Sequence, residues 1–136
     1  MRLVAIDTNA YSAFKQGDAQ ILEVLQHAPE ILLSATVLGE LLAGFAAGTR
    51  ESANRRELTQ FLSTPRVRVV SCGTATADCY ALIYADLRRA GKPIPSNDLW
   101  IAASCLEHGA ALLTLDAHFG HVGGLRSGVR LDQFAP

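Results

Sequence analysis

Short apolar runs alternate with longer stretches of helical periodicity along this chain, and no other feature of the sequence constrains the fold as much. The apolar runs predict strands at residues 3–6, 31–33, 67–71 and 111–115, with a weaker one at 129–131. The periodic stretches predict helices at residues 10–16, 18–27, 36–47, 51–62, 76–90 and 97–108. Short strands separated by helices are typical of an α/β domain with a mostly parallel sheet, here of about five strands.

The length and the cysteines indicate one domain in a reducing cytoplasm. A chain of 136 residues without internal repeats or linkers is expected to fold as a single unit over residues 1–136. Its three cysteines, Cys72, Cys79 and Cys105, form no C-x-x-C pair, so neither a disulfide framework nor a cysteine zinc site is expected. The apolar run before Asp7 is too short for the core of a signal peptide.

The stretch at residues 31–49 carries a single charge, Glu40, which makes a membrane span the alternative there. We favour a short strand followed by a buried helix, because the stretch contains glycines and places Ser34 at a natural helix N-cap. A span would also hold the Glu40 carboxylate near the centre of the lipid, which is costly. No membrane association is therefore expected.

Two aspartates, Asp7 and Asp116, directly follow predicted strands. Alone, each is more readily explained as a helix cap or a turn residue. In open α/β sheets, however, ligands gather at the carboxyl ends of the strands. The pair is therefore expected to lie at one edge of the sheet, where the strands would aim both carboxylates into a shared pocket.

Two further acids lie in apolar surroundings. Asp98 is in the first turn of a predicted helix, where the helix dipole favours an acid. That helix is apolar nearly all round, so it is expected to be buried. A buried acid at the N-terminus of such a helix needs a partner. Glu40 lies among small residues, with no lysine or arginine three or four positions away. Because hard divalent ions prefer oxygen ligands, the four acids together predict a Mg²⁺ or Mn²⁺ site, formed by Asp7, Glu40, Asp98 and Asp116.

In this order and at this chain length, the acids make the sequence resemble the PIN-domain family, and within it the VapC-type ribonuclease toxins of toxin–antitoxin modules. The stretches that carry the resemblance are "AIDTNAYSAF", "SATVLGELLAG", "IPSNDLWIAA" and "LLTLDAHFGHV", spread over residues 5–122. The resemblance implies a PIN-like three-layer fold and a Mg²⁺- or Mn²⁺-dependent endoribonuclease that leaves 5′-phosphate and 3′-hydroxyl ends.

The resemblance also implies roles for individual residues. Asp7, Glu40 and Asp98 match the main metal-binding acids of the family, and Asp116 matches a fourth acid that varies more. The supporting polar positions are Thr8, Asn9 and Thr114. No catalytic role is assigned to Ser96 or Asn97, which stand beside Asp98.

The formal net charge of −1 looks unsuited to an RNA-binding protein. Four of the 13 acidic residues belong to the predicted pocket, however, which leaves nine against 12 basic residues. Most of the basic residues are expected to be solvated on helix faces. Arg88 and Arg89, shortly before Asp98, are the best candidates for phosphate contacts.

As a VapC-type toxin, the protein is expected to bind a VapB-like antitoxin, to form a homodimer and to cut RNA of the transfer or ribosomal class. The alternative is a catalytically silent PIN-like module that only binds RNA or protein. A phosphohydrolase with an aspartyl nucleophile is disfavoured because Asn9 stands where its second aspartate is usually found. His118 and His121 lie in a glycine-rich loop without evident further ligands, so zinc is not expected.

Overall fold

The central feature of the computed structural model, which describes residues 3–135, is one five-stranded sheet. Its strands lie in the order β3-β2-β1-β4-β5, and every neighbouring pair is parallel. The predicted parallel sheet is therefore confirmed. The strands are β1 (Leu3–Ile6), β2 (Glu30–Ser34), β3 (Val67–Val70), β4 (Ala111–Leu113) and β5 (Ser127–Gly128).

Six α-helices flank the sheet, which confirms the predicted α/β class. Each predicted helix is present, with starts that differ from the prediction by no more than two residues. The helices are α1 (Thr8–Lys15), α2 (Ala19–His27), α3 (Ala35–Ala47), α4 (Glu51–Leu62), α5 (Thr74–Ala90) and α6 (Ser96–His108). Side-chain caps explain three of the starts: Asp7 accepts from the Ala10 amide, Asp18 from the Gln20 and Ile21 amides, and Ser34 from the Val37 amide.

The stretch that was weighed as a membrane span divides into β2 and α3, as predicted. Within residues 3–135, no helix is both long enough and apolar enough to cross a membrane.

The C-terminal part of the chain differs from the prediction. The last strand was expected at residues 129–131, but β5 lies at Ser127–Gly128 and residues Leu131–Phe134 form a 3₁₀ helix. The Gln133 side chain explains the shift, because its Oε1 accepts hydrogen bonds from the Val129 and Arg130 amides and ties the backbone into a turn. Phe134 is buried at the end of this turn, so the apolar side chain packs in the core although its segment is not a strand.

The core surrounds the central strand. Val4, Ala5 and Ile6 of β1 are all buried, as are Leu112 and Leu113 on the adjacent β4. A strand that is covered on both faces in this way is held rigidly. The residues that directly follow β1 and β4 are therefore fixed in position. The extent of the domain over the whole chain stays a prediction, since residues 1, 2 and 136 lie outside the described part.

Candidate active site

Asp7 is the best-fixed of the four predicted acids. It follows β1 and caps α1, with its Oδ1 accepting from the Ala10 amide at 2.9 Å. Its Oδ2 accepts a hydrogen bond from the Thr114 hydroxyl. Only 5% of Asp7 is exposed, and a carboxylate so buried is costly unless polar groups or a cation compensate its charge.

Thr114 joins the ends of the two central strands. Ile6 pairs with Leu113 in the β1–β4 register, so Asp7 and Thr114, each one residue further on, lie side by side. The Thr114 hydroxyl donates to Asp7 and also accepts from the Asp116 amide at 3.0 Å. One hydroxyl therefore connects Asp7, which directly follows β1, with Asp116. The strand predicted to run to residue 115 ends at Leu113, so Asp116 lies three residues beyond β4 and not directly after it as expected.

Glu40 reaches the same region from α3. Its Oε1 accepts from the Thr8 hydroxyl at 2.6 Å, and its Oε2 accepts from the Asn97 side-chain amide at 3.2 Å. Both partners are neutral, so they orient the carboxylate without cancelling its charge. Asn97, to which no role was assigned from the sequence, thus positions Glu40.

Asp98 lies in the first turn of α6, as predicted, and contacts a histidine. Its Oδ2 is 2.8 Å from Nε2 of His118, whose other ring nitrogen, Nδ1, is 3.4 Å from Oδ1 of Asp116. The expectation that His118 lies in a loop without other ligands was wrong. The segment Ala117–His121 forms a 3₁₀ helix that places the imidazole between two carboxylates.

Burial and neighbouring charges act on two of the acids, Asp7 and Asp98. Burial raises the pKa of Asp7, against the opposing hydrogen bonds from Thr114 and Ala10, and the charges of Asp116 and Asp98 raise it further. Burial also raises the pKa of Asp98, as do Asp116 and Glu40, while the contact with His118 opposes the shift. Of the four acids, Asp98 and Asp116 lie near enough to each other to share an ion, together with His118, whereas Asp7 and Glu40 are joined to this region through Thr114 and Asn97.

No lysine or arginine within residues 3–135 forms an ion pair with any of these four acids. The oxygen-rich donor set, which no lysine or arginine of the described residues neutralises, fits a hard divalent cation. One ligand atom each from Asp98, Asp116 and His118 already lies within 4.8 Å of the others. The site thus offers carboxylate oxygens and one imidazole nitrogen to a metal ion.

The remaining predicted residues divide into two groups. Thr8 and Thr114 contact the acids directly, whereas Asn9 is exposed on the first turn of α1. Near the end of α5, Arg88 donates to the Tyr84 hydroxyl at 3.0 Å, and Arg89 pairs with Asp86. The Arg89 charge is therefore already compensated, and Arg88 is the freer of the two for a phosphate.

Sequence reasoning missed His118 and Asn97 because their importance arises from tertiary contacts. Asn97 contacts a residue 57 positions away, and His118 contacts one 20 positions away. The only local signals were the position of Asn97 beside Asp98 and that of His118 two residues after Asp116.

The chain matches the family model of the PIN domain over residues 4–125. Ribonuclease VapC4 of Mycobacterium tuberculosis is 34% identical over 84 residues, which cover 62% of this chain and 65% of VapC4. The match thus spans slightly less than two thirds of that relative.

Solved structures are similar over nearly the whole chain. VapBC2 from Rickettsia felis, bound to a promoter DNA fragment, gives a TM-score of 0.80 at 23% identity, covering 93% of this chain and 97% of that one. DNA-bound VapBC from Salmonella typhimurium gives a TM-score of 0.79 at 25% identity, covering 94% and 98%. Since the family model spans most of the chain and the fold agrees, the protein belongs to the PIN-domain family.

Proposed function

We propose that this protein is a metal-dependent endoribonuclease and the toxin of a VapBC-type toxin–antitoxin system. The observation that carries the proposal is the grouping of four carboxylates from four separate elements, none of them paired to a lysine or arginine of the described chain. A PIN domain that only binds a partner has no need of such a costly cluster. The similarity to Ribonuclease VapC4 supports ribonuclease activity.

The proposed metal ligands are Asp7, Glu40, Asp98 and Asp116. A bound Mg²⁺ or Mn²⁺ would supply an activated water and neutralise charge on the scissile phosphate and the leaving 3′-oxygen. Thr114 holds the Asp7 carboxylate at the strand end, and Thr8 holds that of Glu40. These contacts fix the acids before substrate arrives, so little reorganisation is needed during the reaction.

RNA binding is proposed to use basic residues outside the acidic site. Arg88 borders an apolar cleft that Leu99, the residue after Asp98, also lines. A phosphate held there by Arg88 would place the neighbouring phosphodiester near Asp98. Transfer RNA or ribosomal RNA is the proposed class of substrate.

The proposed partners are a VapB-like antitoxin and a second copy of this chain, in the cytoplasm. Support for the antitoxin comes from similar structures, such as those from Rickettsia felis and Salmonella typhimurium, which are described as VapBC complexes. The homodimer and the cytoplasmic location rest on the sequence predictions alone.

A map of new RNA 5′ ends in cells tests the activity. The wild type is expressed briefly and compared with Asp98→Asn at equal protein abundance, with Asp78→Asn as the matched control, since Asp78 is exposed on α5. We expect discrete 5′-phosphate ends with the wild type and with Asp78→Asn but not with Asp98→Asn. Identical maps for all three proteins would refute the nuclease and favour the catalytically silent binding module.

A further inference from the structure

We propose that His118 is itself a metal ligand, so that the site is a mixed nitrogen and oxygen site that selects Mn²⁺ over Mg²⁺. This inference rests on the proposed function, because it concerns the ion held by the same acids. It departs from the four-carboxylate site that the sequence predicted, in which every ligand atom is an oxygen.

The local fold holds the imidazole firmly. His118 lies in the 3₁₀ helix Ala117–His121, and its ring packs at 4.8 Å from that of Phe119, which is completely buried. The turn is thereby anchored in the core at the residue next to His118. The His118 side chain keeps 29% of its surface exposed, so it is not sealed in the core.

The distance between His118 and Asp98 suits two ligands of one ion. Nε2 and Oδ2 are 2.8 Å apart. Adjacent ligands of an octahedral ion with bonds of about 2.1 Å are separated by about 3.0 Å. An ion can therefore replace the hydrogen bond between these atoms with a shift of only a few tenths of an ångström.

The second ring nitrogen has the partner that a metal-binding histidine usually has. Histidine ligands commonly donate their other N–H to a carboxylate, which fixes the ring orientation and strengthens the ligating nitrogen. Nδ1 of His118 faces Oδ1 of Asp116 at 3.4 Å, within reach of such a contact after a small adjustment. Nε2 is then the ligating atom. In this arrangement Asp116 orients the ring from the other side instead of binding the same ion, so His118 takes the place proposed above for the fourth carboxylate.

An imidazole ligand changes which ion the site prefers. Mg²⁺ binds oxygen almost exclusively and keeps several waters, whereas first-row transition ions accept imidazole readily. Replacing one oxygen by nitrogen therefore favours Mn²⁺ relative to Mg²⁺, although later transition ions bind such a ligand set more tightly than Mn²⁺ does. Other transition ions that favour nitrogen, such as Co²⁺, are expected to bind as well.

Pulsed electron paramagnetic resonance of Mn²⁺ bound to the full chain, purified without antitoxin, tests the ligand directly. We expect a ¹⁴N hyperfine coupling typical of a coordinated imidazole in the wild type, and its loss in His118→Gln, which offers a carbonyl oxygen instead. His121→Gln is the matched control, since His121 is exposed on the same 3₁₀ helix. A wild-type spectrum without nitrogen coupling, or one unchanged by His118→Gln, would overturn the inference.

Titration calorimetry gives an independent readout of selectivity. His118→Gln should weaken Mn²⁺ binding about tenfold while changing Mg²⁺ binding less than about twofold. Equal weakening for both ions would contradict a nitrogen ligand. Asp98→Asn separates the two proposals. If Asp98→Asn leaves Mn²⁺ binding intact, the proposed metal site itself fails. If Mn²⁺ binding is lost in Asp98→Asn but not weakened in His118→Gln, only the role of His118 is refuted.

Discussion

Thr114→Val removes the hydroxyl through which β4 holds Asp7 while keeping the volume of the side chain. In the wild type this hydroxyl donates to the buried Asp7 carboxylate and accepts from the Asp116 amide. Thr114 is only 4% exposed, so water cannot easily replace the lost group. The substitution therefore leaves a buried charge and an amide each short of one partner.

The expected loss of stability follows from these two contacts. A hydrogen bond to a charged group contributes about 1.5–3 kcal/mol, and the loss of the acceptor for the Asp116 amide adds about 1 kcal/mol. The two together lower the free energy of unfolding at pH 7.5 by about 2.5–4 kcal/mol. For a chain of this size, that corresponds to a fall in melting temperature of roughly 9–14 °C.

Urea unfolding at pH 7.5 measures the loss, with Thr114→Ser as the control that keeps the hydroxyl. Thr114→Ser loses one buried methyl group and should cost about 1 kcal/mol. A Thr114→Val protein as stable as Thr114→Ser would refute the reasoning, because the hydroxyl would then contribute nothing.

The loss should also depend on pH. The Thr114 hydrogen bond favours ionised Asp7 and so opposes the raised pKa. In Thr114→Val the folded-state pKa of Asp7 rises further. The folded protein then loses stability as the pH rises from the ordinary pKa of aspartate towards this raised pKa. The difference between the two proteins should therefore be larger at pH 7.5 than at pH 5. A difference that is the same at both values would contradict a role of the Asp7 charge.

Three further predictions concern the same site. A divalent ion at about 100 times its Kd should stabilise the wild type by about 2.7 kcal/mol, read as a higher melting temperature; a similar rise in Asp98→Asn would contradict the site. Because burial raises the pKa of Asp7, the ion-free wild type should lose stability as the pH rises above the ordinary pKa of aspartate. Asp7→Asn should make this pH dependence smaller, which is measured as the urea midpoint of unfolding between pH 4.5 and 7.5. Arg88→Ala should reduce the salt dependence of RNA binding by about 0.7 in log–log slope for a single strand, whereas Arg89→Ala, whose partner is Asp86, should have less effect; equal slopes would refute the assignment.

The sheet, the helices and the positions of the four acids followed from local patterns. Asp7 and Asp116 stand where an apolar run stops, so their place at the carboxyl edge depends only on the strands being parallel. Glu40 was recognisable because its helix offers it no basic neighbour. Each of these signals lies within a few residues of the acid it identifies.

The contacts that orient the acids could not be predicted in this way. The partners of Glu40 come from α1 and α6, and His118 reaches Asp98 only because a short 3₁₀ helix turns it towards the start of α6. The last strand was misplaced for a related reason, since a single side chain, Gln133, holds the backbone in a turn where the apolar pattern favoured a strand. Side-chain contacts with the backbone of another segment leave no periodic pattern in the sequence.

Cleavage of RNA by the purified chain, free of antitoxin, tests the central claim most directly. Wild type, Asp98→Asn and Asp78→Asn are incubated with the same RNA after chelation and again after addition of Mn²⁺. The account predicts cleavage only with the ion, products with 5′-phosphate and 3′-hydroxyl ends, and a rate reduced more than about 100-fold in Asp98→Asn but unchanged in Asp78→Asn. Cleavage that persists after chelation, or that proceeds equally fast in Asp98→Asn, would contradict it.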